Sequence, residues 1–375
     1  MTQQFTHVVS KPKLPDFDQF MSKIRTIWDN GQLTNNGPLC RELERRLSEH
    51  LRHPRLSLYA NGTLALIAAL KAEELNDEVI TTPFTFLATL NALIICGLTP
   101  VLVDVDINTF NIHPETVGAA LSHRTSGILP VHVFGRACDV DGFTKLALES
   151  QKKVVYDAAH AFGVSRNGES ILKNGDASIL SLHATKIFSS VEGGLVASNS
   201  EKTNTFADAY RNFGLLNQDR SLAPGLNAKL SELHAAYGLL SLDTIDMEIS
   251  GRKTAFLKYK ENLSPSGLFL FQEPSSDFSS NYSYMPIVFN SFDSRVADEA
   301  TRVLASNNII SKRYFYPLVH HLAQAYGTSV RINGSLKNAE LISRSIICLP
   351  ISGEMTCTDI DHISDLLIRV AQKYG

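Results

Sequence analysis

The amino-acid sequence predicts an α/β fold: a mostly parallel seven-stranded sheet with helices on both faces, followed by a smaller α/β lobe. Between residues 55 and 200, short β-rich runs alternate with helical stretches, the rhythm of parallel strands joined by crossover helices. Several of those runs are continuously apolar, as strands covered on both faces require. After about residue 230 a long helical stretch leads into a second, shorter alternation. These observations divide the chain into a large domain, residues 1–250, and a small C-terminal domain, residues 251–375.

Taken in order, the first elements are helical. FDQFMSKIRTIWDNG and GPLCRELERRLSEHL read as two helices within residues 15–52, separated by LTNNGP, where Asn36, Gly37 and Pro38 break the pattern. The strand candidates follow: LSLYA (56–60), DEVITT (77–82), PVLVDV (100–105), SGILPVHV (126–133), KVVYD (153–157), ASILSL (177–182) and GLVAS (194–198). Between the first two lies TLALIAALKAEEL (63–75), with apolar residues recurring at three and four. SELHAAYGLLSLDTIDMEISGRKTAFLKYKENL is one long helical stretch that ends at the SPSG turn (264–267). In the small domain, strand-like YSYMPIVF and RSIICLP alternate with helical ADEATRVLASN and TDIDHISDLLIRVAQKY.

Bulk properties exclude several function classes. A net charge of −3 and an isoelectric point near 6.5 give no electrostatic reason to expect a nucleic-acid partner. The basic residues Arg41 to Arg46 are interleaved with Glu42 and Glu44, as on a solvated helix face. No run of 18 apolar residues marks a membrane span, and the opening MTQQFTHVVSKPKLP lacks the pattern of a secretory leader. Five cysteines, odd in number and without CxxC spacing, predict reduced thiols in a cytoplasmic protein, with neither a disulfide framework nor a structural zinc.

In a parallel sheet, ligands bind outside the carboxyl ends of the strands, so polar residues at those ends are the candidates. After LSLYA come Asn61, Gly62 and Thr63 at the start of a helix, where free amides and the helix dipole suit a phosphate; capping alone would use the same residues. After KVVYD, Asp157 either caps the next turn or pairs with a protonated ring nitrogen, with His160 beyond it. After ASILSL come Ser181, His183, Thr185 and Lys186. A lysine between two apolar strands needs a partner or a chemical role, because burying an ammonium is costly. One small molecule uses a phosphate nest, a carboxylate and a lysine together: pyridoxal 5′-phosphate, bound as a Schiff base.

Eight stretches resemble the DegT/StrS-type nucleotide-sugar aminotransferases: LTNNGP, YANGTLALIAAL, EVITTPFTFLATLNALIICGLTPVLVDVD, YDAAHAFG, SLHATKIFSSVEGG, RNFG, GLNAKLSELHAA and RYFYPLVH. They span residues 33–321 in the family's order. The resemblance implies the aspartate-aminotransferase-like fold, fold type I of the pyridoxal phosphate enzymes. Lys186 then forms the internal Schiff base, with a pyridoxamine phosphate intermediate, and Asp157 pairs with the pyridine nitrogen. Gly62, Thr63 and Ser181 meet the phosphate, Phe86 lies on the ring, and His160 sits near the phenolic oxygen. Asn227 reaches the phosphate of a neighbouring subunit, which implies a homodimer with active sites at the interface. Asn35, His183, Tyr314, Tyr316 and His320 fall in substrate-side stretches. His320 and His321 do not imply a metal, because adjacent histidines diverge and no carboxylates accompany them.

Lysine at 186 implies aminotransfer, since the dehydratases of this family carry histidine there. Glutamate is the expected amino donor and a nucleotide-linked ketosugar the acceptor. The loop HATKIFSSVEGG resembles the members that make dTDP-4-amino-4,6-dideoxyglucose from dTDP-4-keto-6-deoxyglucose for bacterial surface polysaccharide. The alternatives left open are a C3-keto or UDP-linked substrate, a lyase of the same fold, and a non-catalytic scaffold.

Overall fold

The computed structural model describes residues 6–323, 327 and 330–374. Its main sheet contains all seven predicted strands, in the spatial order Thr99–Leu102, Glu78–Thr81, Thr125–Leu129, Lys153–Asp157, Ala177–Ser181, Gly194–Ser198, Leu56–Tyr59. The pairings from Thr99–Leu102 across to Ala177–Ser181 are parallel. Gly194–Ser198 runs antiparallel to both its neighbours. Side chains of these strands are almost all buried, which is why the sequence shows apolar runs without alternation.

The sheet has eight strands, one more than expected. The eighth, Arg331–Ile332, pairs parallel with Thr99–Leu102 at the edge. It comes from the segment assigned to the small domain, and a buried carboxylate holds it there. Glu78 Oε2 accepts from Arg331 at 3.0 Å and from the Ser122 hydroxyl at 2.9 Å. Two residues carry no periodicity, so pairing alone defines this strand.

Helix Gly62–Ala72 starts directly after strand Leu56–Tyr59, and buried side chains cover most of its surface. Helix Leu87–Ile95 follows strand Glu78–Thr81 after a five-residue turn and buries Thr89, Leu90, Ala92 and Leu93. At the N-terminus, helices Phe17–Asn30 and Pro38–His50 flank the predicted break. The second is capped from far along the chain: buried Glu232 accepts the Leu39 and Cys40 amides, both at 2.8 Å. That carboxylate satisfies orphan donors at a positive helix end.

Helix Glu232–Leu263, 32 residues long, runs through both cores. Leu239, Leu242 and Ile245 pack in the large core, whereas Ala255, Phe256, Tyr259 and Leu263 pack in a second one. On that change of partners we propose the domain division near residue 250. The second core lies under a three-stranded antiparallel sheet of Phe269–Phe271, Met285–Phe289 and Ile346–Leu349, with helices Ser294–Ser306 and Cys357–Tyr374. Phe315, Leu318, Ile342 and Cys348 return to the large core, so the C-terminal segment is anchored on both sides. All five cysteines are free thiols. Among the described residues no helix is long and apolar enough to cross a membrane, and no cluster of three or more His, Cys, Asp or Glu could hold a metal.

Candidate active site

The carboxyl ends of strands Leu56–Tyr59, Lys153–Asp157 and Ala177–Ser181 open onto one cavity of about 490 Å³. Gly62, Thr63, Phe86, Asp157, His160, Ser181, His183, Lys186 and Tyr314 all line it. Nine residues singled out from sequence therefore converge, as expected for strand ends that share one sheet edge.

Lys186 sits in the tight connection between strands Ala177–Ser181 and Gly194–Ser198. Within it the Ala184 amide donates to Val191 O at 2.7 Å, Ser190 N to Leu182 O at 2.9 Å, and Leu182 N to Gly193 O at 2.8 Å. The Glu192-Gly193-Gly194 turn closes this loop. A side chain at Gly194 would place Cβ 2.5 Å from the Asn61 carbonyl carbon and 2.6 Å from Gly62 N. The glycine thus lets the returning strand lie against the turn that opens helix Gly62–Ala72. At Gly62 itself, a Cβ would stand 2.9 Å from Ser181 Cβ.

Asn61 caps that helix by accepting the Leu64 amide at 2.9 Å. The Gly62 and Thr63 amides have no protein partner among the described residues, and both residues face the cavity. Phe86, 59% exposed, stands at the cavity edge and not in the core.

Asp157 lies at the back, 6% exposed. Its Oδ2 accepts from the Thr89 hydroxyl at 2.8 Å, and Oδ1 from the Ala159 amide at 3.1 Å. The Thr89 hydroxyl in turn meets that of Thr85 at 2.7 Å. Burial pushes the Asp157 carboxyl up from its ordinary value, opposed by these two hydrogen bonds and by Lys186. His160 accepts the Phe134 amide at Nδ1, 3.1 Å away, so the neutral ring carries its proton on Nε2. Burial, aided by the nearby Lys186, holds its imidazole well below the ordinary range.

Burial also pushes the Lys186 ammonium down to about 8, with Asp157 pulling the other way. Its Nζ lies 3.5 Å from the hydroxyl of Tyr284. His183 is turned by its own loop: Nδ1 accepts the Thr185 amide at 3.2 Å, and Nε2 lies 3.5 Å from Glu192 Oε1.

Four predicted residues are not in this cavity. Asn227 is exposed, its Oδ1 accepting from Lys229 at 2.7 Å. Asn35 is exposed in the turn before helix Pro38–His50. Adjacent Asn36 shares a small cleft with Lys229, so the Asn35 turn and the Asn227 loop lie together on one surface. Tyr316 lies under the Arg313 guanidinium, 3.9 Å from its ring, beside a separate open groove. His320 is buried against the ring of His321, in a helix turn whose neighbours Val319 and Ala323 belong to an apolar cluster with Leu90 and Leu102. The substrate-side placement expected for His320 and Tyr316 is therefore not met in the cavity of their own chain.

Sequence reasoning missed Thr89, Thr85 and Tyr284. The two threonines stand four apart in TFLAT, Thr85 just before helix Leu87–Ile95 and Thr89 in its first turn, and that spacing was legible in the sequence. Tyr284 had no local signal, since it reaches Lys186 across 98 residues.

These residues fit pyridoxal 5′-phosphate. Unpaired amides beside a cradle that a single Cβ would fill suit its phosphate, an exposed aromatic at the mouth suits its ring, and a buried carboxylate suits a cationic nitrogen.

The chain belongs to the DegT/DnrJ/EryC1/StrS aminotransferase family, whose signature matches residues 16–368. It is 40% identical over 355 residues to the dTDP-4-amino-4,6-dideoxy-D-glucose transaminase of Shigella dysenteriae, covering 95% of this chain and 96% of that one. The Escherichia coli enzyme of the same name is 38% identical over 362 residues, covering 96% and 97%. Among solved structures, DesI determined in the presence of its TDP-sugar product superposes with a TM-score of 0.91. It is 31% identical and matches 100% of this chain and 94% of that one.

Proposed function

We propose that the protein transfers the amino group of L-glutamate to C4 of dTDP-4-keto-6-deoxy-D-glucose, giving dTDP-4-amino-4,6-dideoxy-D-glucose for surface polysaccharide. The observation that carries this reading is the convergence of Lys186, Asp157, Phe86 and the free Gly62 and Thr63 amides on one cavity. The two transaminases that share about two-fifths of its residues support the sugar and the position aminated.

Lys186 would hold the cofactor covalently, the Gly62 and Thr63 amides and the Ser181 hydroxyl its phosphate, Phe86 one ring face and Asp157 the ring nitrogen. When bound, the cofactor supplies a cationic heterocycle that delocalises the electron pair left by a departing α-proton. Thr89 and the Ala159 amide favour the charged form of Asp157 against its burial. His160, neutral, has its Nε2–H free to donate to the phenolic oxygen. Lys186 Nζ, depressed to about 8, carries a useful fraction of neutral amine near neutral pH, so it can take a proton and return it. Asn227, outside its own cavity, would reach the phosphate of a second subunit in a cytoplasmic homodimer.

The test is to incubate purified protein with L-glutamate and a panel of nucleotide ketosugars, with products identified by mass and NMR. The 4-amino product from dTDP-4-keto-6-deoxy-D-glucose is expected. Amination of only the isomerised 3-keto sugar, or only of UDP-linked sugars, overturns the assignment.

A further inference from the structure

Tyr284, at the entrance to strand Met285–Phe289, is buried, and its hydroxyl faces Lys186 Nζ at 3.5 Å. Among the described residues it is the one side-chain hydrogen-bond partner of that amine. The distance is at the long end of hydrogen bonding, and such contacts shorten in the working complex. Burial pushes the phenol up, so it stays a neutral hydroxyl that both donates and accepts.

The position of Tyr284 is determined from two sides. Its ring packs on His160, centroids 4.8 Å apart, on Phe134 at 5.4 Å, and edge-on to Tyr314 at 6.0 Å. Its backbone is held by the preceding residue. The Ser283 carbonyl accepts from Arg252 at 3.0 Å, and the Ser283 hydroxyl donates to the His160 carbonyl at 3.0 Å. Asn281 reinforces this clamp, donating to the same His160 carbonyl at 2.8 Å and accepting the Ser283 amide at 3.1 Å. Arg252 is paired in turn with Glu248, Nε to Oε1 at 2.7 Å, and both side chains are 3% exposed. Glu248 Oε1 also accepts the Gly353 amide at 3.0 Å. A fully buried ion pair gains little net stability after desolvation, so its value lies in the geometry it enforces.

We propose that Tyr284 is the group that docks the ε-amine of Lys186 whenever that amine is not bonded, with Glu248 and Arg252 as positioning residues that hold Tyr284 through Ser283. The phenol donates its O–H to the amine lone pair when the amine is neutral and accepts an N–H when it is charged. The hydrogen bond reverses direction and no proton changes owner. This inference rests on Lys186 as the cofactor lysine, and it gives that lysine a fixed station between half-reactions.

The test uses cofactor-free full-length protein at pH 10, where the amine is neutral. Trace acetylation of Lys186, measured by mass spectrometry against surface lysines, reports how far its lone pair is engaged. In Tyr284→Phe, which keeps the ring packing, Lys186 acetylates about fivefold faster relative to the other lysines, the equivalent of one neutral hydrogen bond. The paired variant Glu248→Leu/Arg252→Leu, which removes both charges together, reproduces that rise with Tyr284 intact. In cofactor-loaded Tyr284→Phe, the rate of the glutamate half-reaction falls by about tenfold, while glutamate binding changes less than about twofold. Unchanged Lys186 acetylation in folded Tyr284→Phe overturns the inference even if the enzyme aminates the sugar. Because acetylation needs no sugar, failure of the substrate assignment is read separately.

Discussion

Replacing Lys186 with methionine should stabilise the cofactor-free protein. An unfolded lysine keeps its proton up to its ordinary value of 10.5, whereas the folded Lys186 gives it up at about 8. Between those pH values the unfolded chain binds more protons, so stability rises with pH across that window. Below the window the whole cost of the buried ammonium stands, roughly 3 kcal/mol at about 1.36 kcal/mol per pK unit. Methionine has similar length and no charge, and losing the Tyr284 hydrogen bond returns about 1 kcal/mol. The net expectation is a gain of about 2 kcal/mol at pH 7 that turns into a loss of about 1 kcal/mol by pH 11. Urea midpoints of wild type and Lys186→Met, both stripped of cofactor, measure it at the two pH values. A variant no more stable than wild type at pH 7, or a difference that ignores pH, refutes the argument that burial depresses this amine. The same substitution abolishes amination, so the lysine is retained for chemistry at a cost in stability.

Thr89→Val keeps the shape and removes one hydrogen bond to a buried carboxylate, worth about 1.5–3 kcal/mol. Asp157 then rises further, and cofactor affinity in equilibrium dialysis falls by roughly tenfold or more, with a larger loss at pH 6 than at pH 8. Phe86→Ala should leave the melting temperature of the cofactor-free protein within about 1 °C, because the ring is exposed, yet weaken cofactor binding by roughly tenfold. A large fall in melting temperature would show that Phe86 belongs to the core. Gly62→Ala brings Cβ to 2.9 Å from Ser181 Cβ and 3.2 Å from Ser181 Cα, so cofactor affinity in equilibrium dialysis should fall, and Ser181→Gly in the same chain, which also removes a phosphate-side hydroxyl, should not restore it. Gly194→Ala meets main-chain atoms of Asn61 and Gly62, so no side-chain change rescues it, and soluble yield and melting temperature both drop.

What could be read from sequence follows the range of the interactions concerned. Strands such as Lys153–Asp157 and Ala177–Ser181 are doubly covered, and their apolar runs announce them. Once the sheet is parallel, Gly62, Asp157 and Lys186 must meet, because strand polarity brings their carboxyl ends to one edge. Tyr284 and Arg331 escaped notice because each acts across a long stretch of chain, Arg331 on Glu78 across 253 residues. No local pattern encodes such a meeting. His320 differs in kind, being buried outside the cavity of its own chain. Its motif suggested a ligand-facing histidine, but Val319 and Ala323 turn the short helix inward and carry the ring with them. Asn227 and Asn35 are exposed outside the cavity of their own chain, so the roles proposed for them require a second subunit.

The 32-residue helix that joins the two cores has a mechanical consequence. At about 1.5 Å per residue it is a beam nearly 50 Å long, gripped at each end by a different set of side chains. Swinging one lobe against the other would mean snapping main-chain hydrogen bonds mid-beam, beside the Glu248–Arg252 pair. Jaw-like closure of the lobes is therefore disfavoured, and the cavity is entered past rim groups such as the exposed Phe86. Amides around residues 246–254 should stay slow to exchange with and without substrate.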